Sequence, residues 1–420
     1  MSDTISTESP ASMRTAARAF DLRKLDSSFL DDPYPVYRAL REHDPVHRMP
    51  DGSYFLSRYD DCAEVYRDPA CWSSDKKIDF RPNFADSLLY EHHTTSLVFN
   101  DPPYHTRVRK LLAPAFTPRA LKALQPRIEA LVDRLLDRAA EREGFDLIDD
   151  FAAAIPVQLI GDMLGVPSEE RGPLRGWSLA ILGALEPVLG KGQFDRGVTA
   201  VAEFKQYLID LVRRRLEEEH GREGEILSTL VAASDFAKPA AAQEQLSELE
   251  LVHNCIFLLN AGHETTTNLI GNSIDLLIRN PDAMRDLRQN PDCIDTAVEE
   301  FLRMESSNQL GNRRARRDTR LGGLEIPAGS YVHIGIGAAN RDPAQFPELD
   351  RLDIRRAPNR HLAFATGIHA CAGMSLARME AKVAIGKMLA RFATIERDGA
   401  FVRGGRARFR GFLHYPVRVG

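Results

Sequence analysis

The stretch Phe364-Ala365-Thr366-Gly367-Ile368-His369-Ala370-Cys371-Ala372-Gly373 decides how this chain is read. It places a single cysteine at the end of a glycine-containing loop. Directly after it, Leu376, Met379, Val383 and Met388 recur at helical spacing, with Arg378, Glu380, Lys382 and Lys387 between them. That pattern predicts a helix. Cys371 therefore stands where backbone amides and the positive end of a helix dipole favour a thiolate. A thiolate so placed is a nucleophile or a metal ligand, and no catalytic-base pattern accompanies it. The loop is shaped to lie against a flat cofactor. The plainer alternative is a buried cysteine at a helix start with His369 as its neighbour, and the rest of the chain decides between the two.

With 420 residues, 43% of them hydrophobic and 27% charged, the chain has the composition of a globular protein able to bury a sizeable core. A net charge of −5 gives no bulk electrostatic case for nucleic acid. The five cysteines, at 62, 71, 255, 293 and 371, are scattered and without CxxC spacing. That argues for a reducing compartment and against a disulfide framework. Residues 1–17, rich in Ser, Thr and Ala, read as a flexible tail with neither signal peptide nor anchor. Nothing later approaches a membrane span, so no membrane partner is expected.

A second stretch is as informative. Ser247 to Asn280 predicts a helix about 50 Å long, apolar on both sides of its middle and so buried in a large core. Yet the middle reads Ala261-Gly262-His263-Glu264-Thr265-Thr266-Thr267-Asn268. A buried acid and a mid-helix glycine cost stability, as functional sites do. Thr265 is expected to bond back to the Ala261 carbonyl. Elsewhere, His105 and Arg109 share a helical face after Asp101-Pro102-Pro103. Glu300 and Arg303 form an i,i+3 acid–base pair. Val46–Met49 and Tyr54–Ser57 flank a turn and predict a hairpin. His92-His93 lacks the spacing of a metal site and reads as a solvated loop. Asp235 to Glu248 reads as a surface loop.

The cysteine loop, F-x-x-G-x-H-x-C-x-G, resembles the haem-binding loop of the cytochrome P450 superfamily. Three further motifs occur in that family's order: the H-x-x-x-R helix, A-G-x-E-T at Ala261–Thr265, and E-x-x-R at Glu300–Arg303. The resemblance spans about Asp32 to the C-terminus and points to the soluble bacterial type. It implies a mainly α fold with small β-sheets, a helical triangular prism enclosing haem, with residues 18–420 as a single haem domain. It makes Cys371 the iron ligand of haem b, within a loop that includes Phe364, His369 and Gly373. It assigns His105, Arg109 and Arg313 to the haem propionates. Ala261 would lie at the haem, and Glu264 and Thr265 would relay protons. Glu300, Arg303 and Arg356 would form a structural ion network. Leu97, Val98, Gln309, Leu310 and Asn312 would line the substrate pocket. One departure is visible: where the family usually has glycine after the phenylalanine, this chain has Ala365.

The implied function is a cytoplasmic, monomeric haem-thiolate monooxygenase. It would use dioxygen to hydroxylate, epoxidise or demethylate a largely hydrophobic organic substrate. No phosphate-cradling G-x-G-x-x-G follows a strand, so electrons are expected from a separate ferredoxin or flavodoxin with an NAD(P)H-dependent reductase. The rivals are a member of the family that uses hydrogen peroxide, a non-catalytic haem sensor or binder, and a zinc protein built on His361, His369 and Cys371. Glu264-Thr265 speaks against the first two, and poor ligand spacing against the third.

Overall fold

Alternation along Tyr54-Phe55-Leu56 explains how one small sheet serves two cores. Phe55 packs with Ala17, Phe20, Tyr37, Leu40 and Leu310. Its neighbours Tyr54 and Leu56 join Tyr66, Trp72, Val332 and Ile334 on the opposite face. The computed structural model describes residues 9–142, 144–217, 227, 231 and 245–420. It is mainly helical with small sheets, and it folds as two compact units.

The first unit comprises Met1–Ser74, Asp295–Cys371 and Arg403–Arg410. Its five-stranded sheet runs, in spatial order, Val46–Arg48, Tyr54–Leu56, Tyr331–Gly335, Leu310–Ala315 and Trp72–Ser73. The expected hairpin is present, with Val46 opposite Leu56 and Arg48 opposite Tyr54. The flexible tail needs correction. Pro10–Ala19 is a helix whose Ser9 side chain caps it by accepting from the Ser12 amide, and Ala17 is fully buried. Small residues hid it, because Ala16 and Ala17 pack by close approach and carry little hydropathy signal. Residues 1–8 of the expected tail lie outside the described residues.

The second unit comprises Asp75–Ile294, Ala372–Val402 and Gly411–Gly420. It is built on the helix Glu248–Arg279, hereafter the central helix. Ser247 starts it with a full capping box, accepting from the Glu250 amide while the Glu250 carboxylate accepts from the Ser247 amide. Of the loop expected over 235–248, residues 235–244 lie outside the described residues. The helices Ala154–Met163, Leu174–Gly183, Lys191–Glu217 and Met374–Arg391 pack around the central helix. Arg107 clamps its first turn through a bidentate pair with Glu250, at 2.5 and 3.2 Å.

The first unit is locked by one buried carboxylate. Glu300 and Arg303 are both fully buried and meet through two bonds of 2.7 and 2.8 Å. Arg356 Nε reaches Glu300 at 3.0 Å, and the Asn359 amide and the Asp353 backbone N–H also donate to it. Arg303 spends its remaining donor on the Asn340 and Leu349 carbonyls and lies over the Phe346 ring. Removing the acid would strand the fully buried Arg303 guanidinium and the half-buried one of Arg356. Glu300→Ala is therefore expected to lower the unfolding free energy by about 3–5 kcal/mol in urea titration. A loss below about 1 kcal/mol would show that the surrounding carbonyls alone hold the arginines.

Candidate functional site

The loop around Cys371 is fixed by backbone geometry. The Cys371 amide donates to the Phe364 carbonyl at 2.9 Å, and the Ala365 amide to the Leu362 carbonyl at 2.8 Å. Turning that tightly puts Ala365 at φ 55° and Gly367 at φ 74°. Both values lie in the left-handed region that favours glycine. Gly367 has a second reason to be glycine, because a Cβ there would run into the Tyr66 carbonyl. At Ala365 the chain carries a side chain in a conformation that disfavours one, so the departure noted in the sequence has a structural cost. Cys371 is in no disulfide and is half-buried, and Phe364 and His369 are half-buried as well. Two residues on, Gly373 is the N-cap of Met374–Arg391 and supplies no side-chain cap. A Cβ at Gly373 would meet nothing closer than Phe116 at 3.8 Å, so protein packing does not explain this glycine.

The central helix is buried on almost every side, but its middle keeps one accessible stripe of Phe257, Leu258, Ala261, Gly262 and Thr265. Their spacing puts them on one face. Thr265 Oγ1 donates to the Ala261 carbonyl at 2.6 Å, as expected. Of the three consecutive threonines it alone is half-exposed, while Thr266 is buried and Thr267 is buried and bonds back to His263. Glu264 is buried beside it. Gly262 has a packing reason: a Cβ would lie 2.5 Å from Ile160 Cδ1 on the helix Ala154–Met163.

The remaining candidates divide. In the second unit, buried His105 and half-buried Arg109 lie one turn apart on the helix Tyr104–Leu112. Leu97 is buried and Val98 half-buried in the short turn that precedes that helix. In the first unit, Arg313 is buried over the Tyr66 ring and donates to the Asn312 carbonyl. Three expected pocket residues have other work there. Leu310 is a fully buried core residue. The Gln309 amide donates to the Ser306 carbonyl at 2.7 Å, and its oxygen presses on Gly337. Asn312 is buried in a central strand opposite His333. Strand register, which the sequence leaves open, turns them inward.

His92 and His93 also depart from expectation. Both are 1% exposed, on the helix Leu88–Thr95. His92 Nδ1 meets His253 Nδ1 at 3.3 Å, and His253 Nε2 meets Glu91 at 2.9 Å. Asn254, next to His253, accepts from the Leu97 amide and donates to Thr95. These residues stitch the segment before His105 to the central helix. Sequence reading missed His253 and Asn254, whose only signal was polarity in an otherwise apolar helical half. It missed Glu380 too, reading it as one of the charges between apolar positions. Glu380 is 3% exposed, and burial pushes its carboxyl up to about 8.

A half-buried thiol in no disulfide, just before a helix end with no side-chain cap, suits iron in a haem. So does a glycine two residues on whose Cβ position is open; the second unit, by itself, offers an accessible apolar stripe flanked by an acid and a hydroxyl. The cytochrome P450 family model matches residues 184–400, and the chain belongs to that family. It is a monooxygenase of the bacterial type, with a haem held by a cysteine thiolate. It is 36% identical over 426 residues to cytochrome P450 107B1 of Saccharopolyspora erythraea, covering 97% of this chain and all of that one. It is 39% identical over 370 residues to the vitamin D(3) 25-hydroxylase of Pseudonocardia autotrophica, covering 86% of this chain and 87% of that one. The crystal structure of P450BioI with a hexadec-9Z-enoic acid-ligated acyl carrier protein superimposes with a TM-score of 0.87 at 32% identity, covering 94% of this chain and all of that one. Among the described residues, no helix is long and apolar enough to cross a membrane.

Two outcomes follow from this geometry. Ala365→Gly relieves a left-handed alanine and is expected to raise stability by about 1 kcal/mol in urea titration; a destabilised variant would mean that the alanine methyl packs productively. Glu380 is protonated in the folded protein and ionised above about 4.5 in the unfolded chain. Folding therefore takes up a proton, and the stability linked to Glu380 is lost as pH rises from 4.5 to about 8. Thermal unfolding across that range should show a shallower decline for Glu380→Gln, and an unchanged slope would assign the decline to other groups.

Proposed function

We propose that Cys371 is the thiolate that holds the haem iron, and that the chain inserts one atom of dioxygen into an organic substrate while the other leaves as water. What supports Cys371 in that role is its loop: two backbone hydrogen bonds and two left-handed residues fix a half-buried cysteine, in no disulfide, just before Met374–Arg391. When bound, the haem supplies the redox and O–O cleaving chemistry, which thiolate ligation favours.

The protein's residues bind, orient and move protons. His105, Arg109 and Arg313 would hold the propionates, arginine because its planar fork matches a carboxylate. Phe364, His369 and Gly373 belong to the loop that would carry the haem beside the sulfur. Ala261 keeps the accessible stripe low. The Thr265 hydrogen is committed to the Ala261 carbonyl, so its oxygen is left to accept from a water and hold it on that stripe. Glu264 passes protons from the interior to that water. Glu300, Arg303 and Arg356 hold the fold and take no part in the chemistry.

The accessible stripe is apolar except for Thr265, which favours a largely hydrophobic substrate to be hydroxylated, epoxidised or demethylated. The names of two relatives agree, one carrying vitamin D(3) and the other a carrier-bound hexadecenoic acid. Leu97 and Val98 remain pocket residues in this reading. Electrons come from a separate ferredoxin or flavodoxin with its NAD(P)H-dependent reductase. We place the protein as a monomer in the cytoplasm, where five cysteines in no disulfide suit a reducing compartment.

The test is the absorbance difference spectrum of the dithionite-reduced protein with and without carbon monoxide. A strongly red-shifted Soret band, absent in Cys371→Ser, is expected; a band typical of histidine ligation would overturn Cys371 as ligand. Thr265→Ala should keep that band but raise the hydrogen peroxide released per NADH consumed several-fold. Unchanged peroxide release would remove Thr265 from the proton path.

A further inference from the structure

The side of the central helix away from the accessible stripe is unexpectedly polar and poorly satisfied. Asn260 is 2% exposed, and neither its oxygen nor its nitrogen has a hydrogen-bond partner among the described residues. His263 is 1% exposed, and neither ring nitrogen has a partner there. On the helix Leu174–Gly183, which packs against the central helix, Ser178 is fully buried with its hydroxyl in the same condition. Five such atoms on this side of the central helix and on the helix packed against it are far from the usual outcome, since an unmet buried polar group is costly. Apolar residues of similar size would avoid that cost. Native proteins meet such groups with buried water that bonds two to four partners.

Placement gives this polarity a direction. Asn260 and His263 are three residues apart on one face, and Glu264 lies four residues after Asn260. Ser178 is three residues after Arg175 on its own helix, and the Arg175 charge reaches His263. Burial first, and then Arg175, hold the His263 imidazole down at about 3. The ring is therefore neutral at physiological pH, with one nitrogen to accept and one to donate. Arg175 itself reaches solvent and pairs with exposed Asp149 at 2.6 Å.

We propose that ordered water held by Ser178, His263 and Asn260 between these two helices carries protons from the Arg175–Asp149 surface to Glu264. This inference rests on the reading of Glu264 as the residue that feeds protons to the oxygen site. Each turnover takes two electrons from the redox partner and two protons from solvent, leaving one oxygen atom in the product and one in water. Protons hop along the waters, each one delivered being replaced from the surface, so Asn260, His263 and Ser178 end unchanged. They are positioning residues: they hold the water, and Glu264 hands on the proton.

The test combines a crystal structure with the solvent isotope effect on NADH-driven oxygen consumption by the haem-loaded protein at saturating ferredoxin. The expected structure has ordered water within hydrogen-bond distance of a His263 ring nitrogen and of Asn260. The isotope effect should rise about two-fold or more in His263→Leu and in Asn260→Leu, and return towards the starting value in His263→Gln, which donates and accepts without charge. Because the readout is a ratio within each variant, loss of folded protein does not move it. A dry interface overturns the proposal. So does an unchanged isotope effect in both leucine variants when Glu264→Gln raises it. If Glu264→Gln also leaves it unchanged, the role of Glu264 fails, and the inference with it.

Discussion

The second unit depends on burying a helix of 32 residues that is not apolar throughout. Every neighbour is set by what that helix presents. Gly262 admits Ile160 where a side chain would exclude it, so the helix Ala154–Met163 crosses close by. Arg107 and Asn254 fasten the chain around Leu97 to its first two turns. Between its two ends, accessibility persists along the stripe that ends at Thr265. The helix is packed on three sides and accessible on the fourth, and the glycine and the threonine that weaken it as a helix stand at that boundary.

The cysteine loop meets a different constraint. Its direction is imposed by two left-handed residues and by the carbonyl of Tyr66, against which Gly367 closes. Backbone strain of this kind persists only where the surroundings over-determine it. Here they do: Leu362 is anchored through its amide to the Asn340 side chain, and Asn340 is tied in turn to Ser306 and, through its carbonyl, to Arg303. The same Arg303 belongs to the buried network of Glu300. A side chain far from Cys371 in sequence thus helps hold the turn that aims it.

Much of this was legible in the sequence, because the informative residues are local in spacing. The central helix ran within a residue of its expected limits, since Ser247 and Glu250 announce the start. The cysteine loop declared its left-handed residues through Gly367, and the Ala365 anomaly through the missing glycine beside it. What stayed hidden depended on which way a side chain turns. Leu310 and Gln309 were read as pocket residues because they adjoin a strand near the expected haem arginine. Register instead gives Leu310 to the core and Gln309 to Gly337. His92 and His93 passed for loop residues, because nothing local reveals that His253 lies across from them.

Two kinds of buried polarity divide the molecule, and the contrast between them bears on function. Glu300 accepts from Arg303, Arg356, Asn359 and a backbone amide, so its charge is fully answered and its cluster specifies structure. Asn260, His263 and Ser178 are as deeply buried and yet unanswered by other described residues. A chain that needed only stability would make the second set apolar, since replacing an imperfectly satisfied polar group by a well-packed one is neutral or favourable. Keeping it polar on the face that carries Glu264 is what the proposed passage of protons to that acid accounts for.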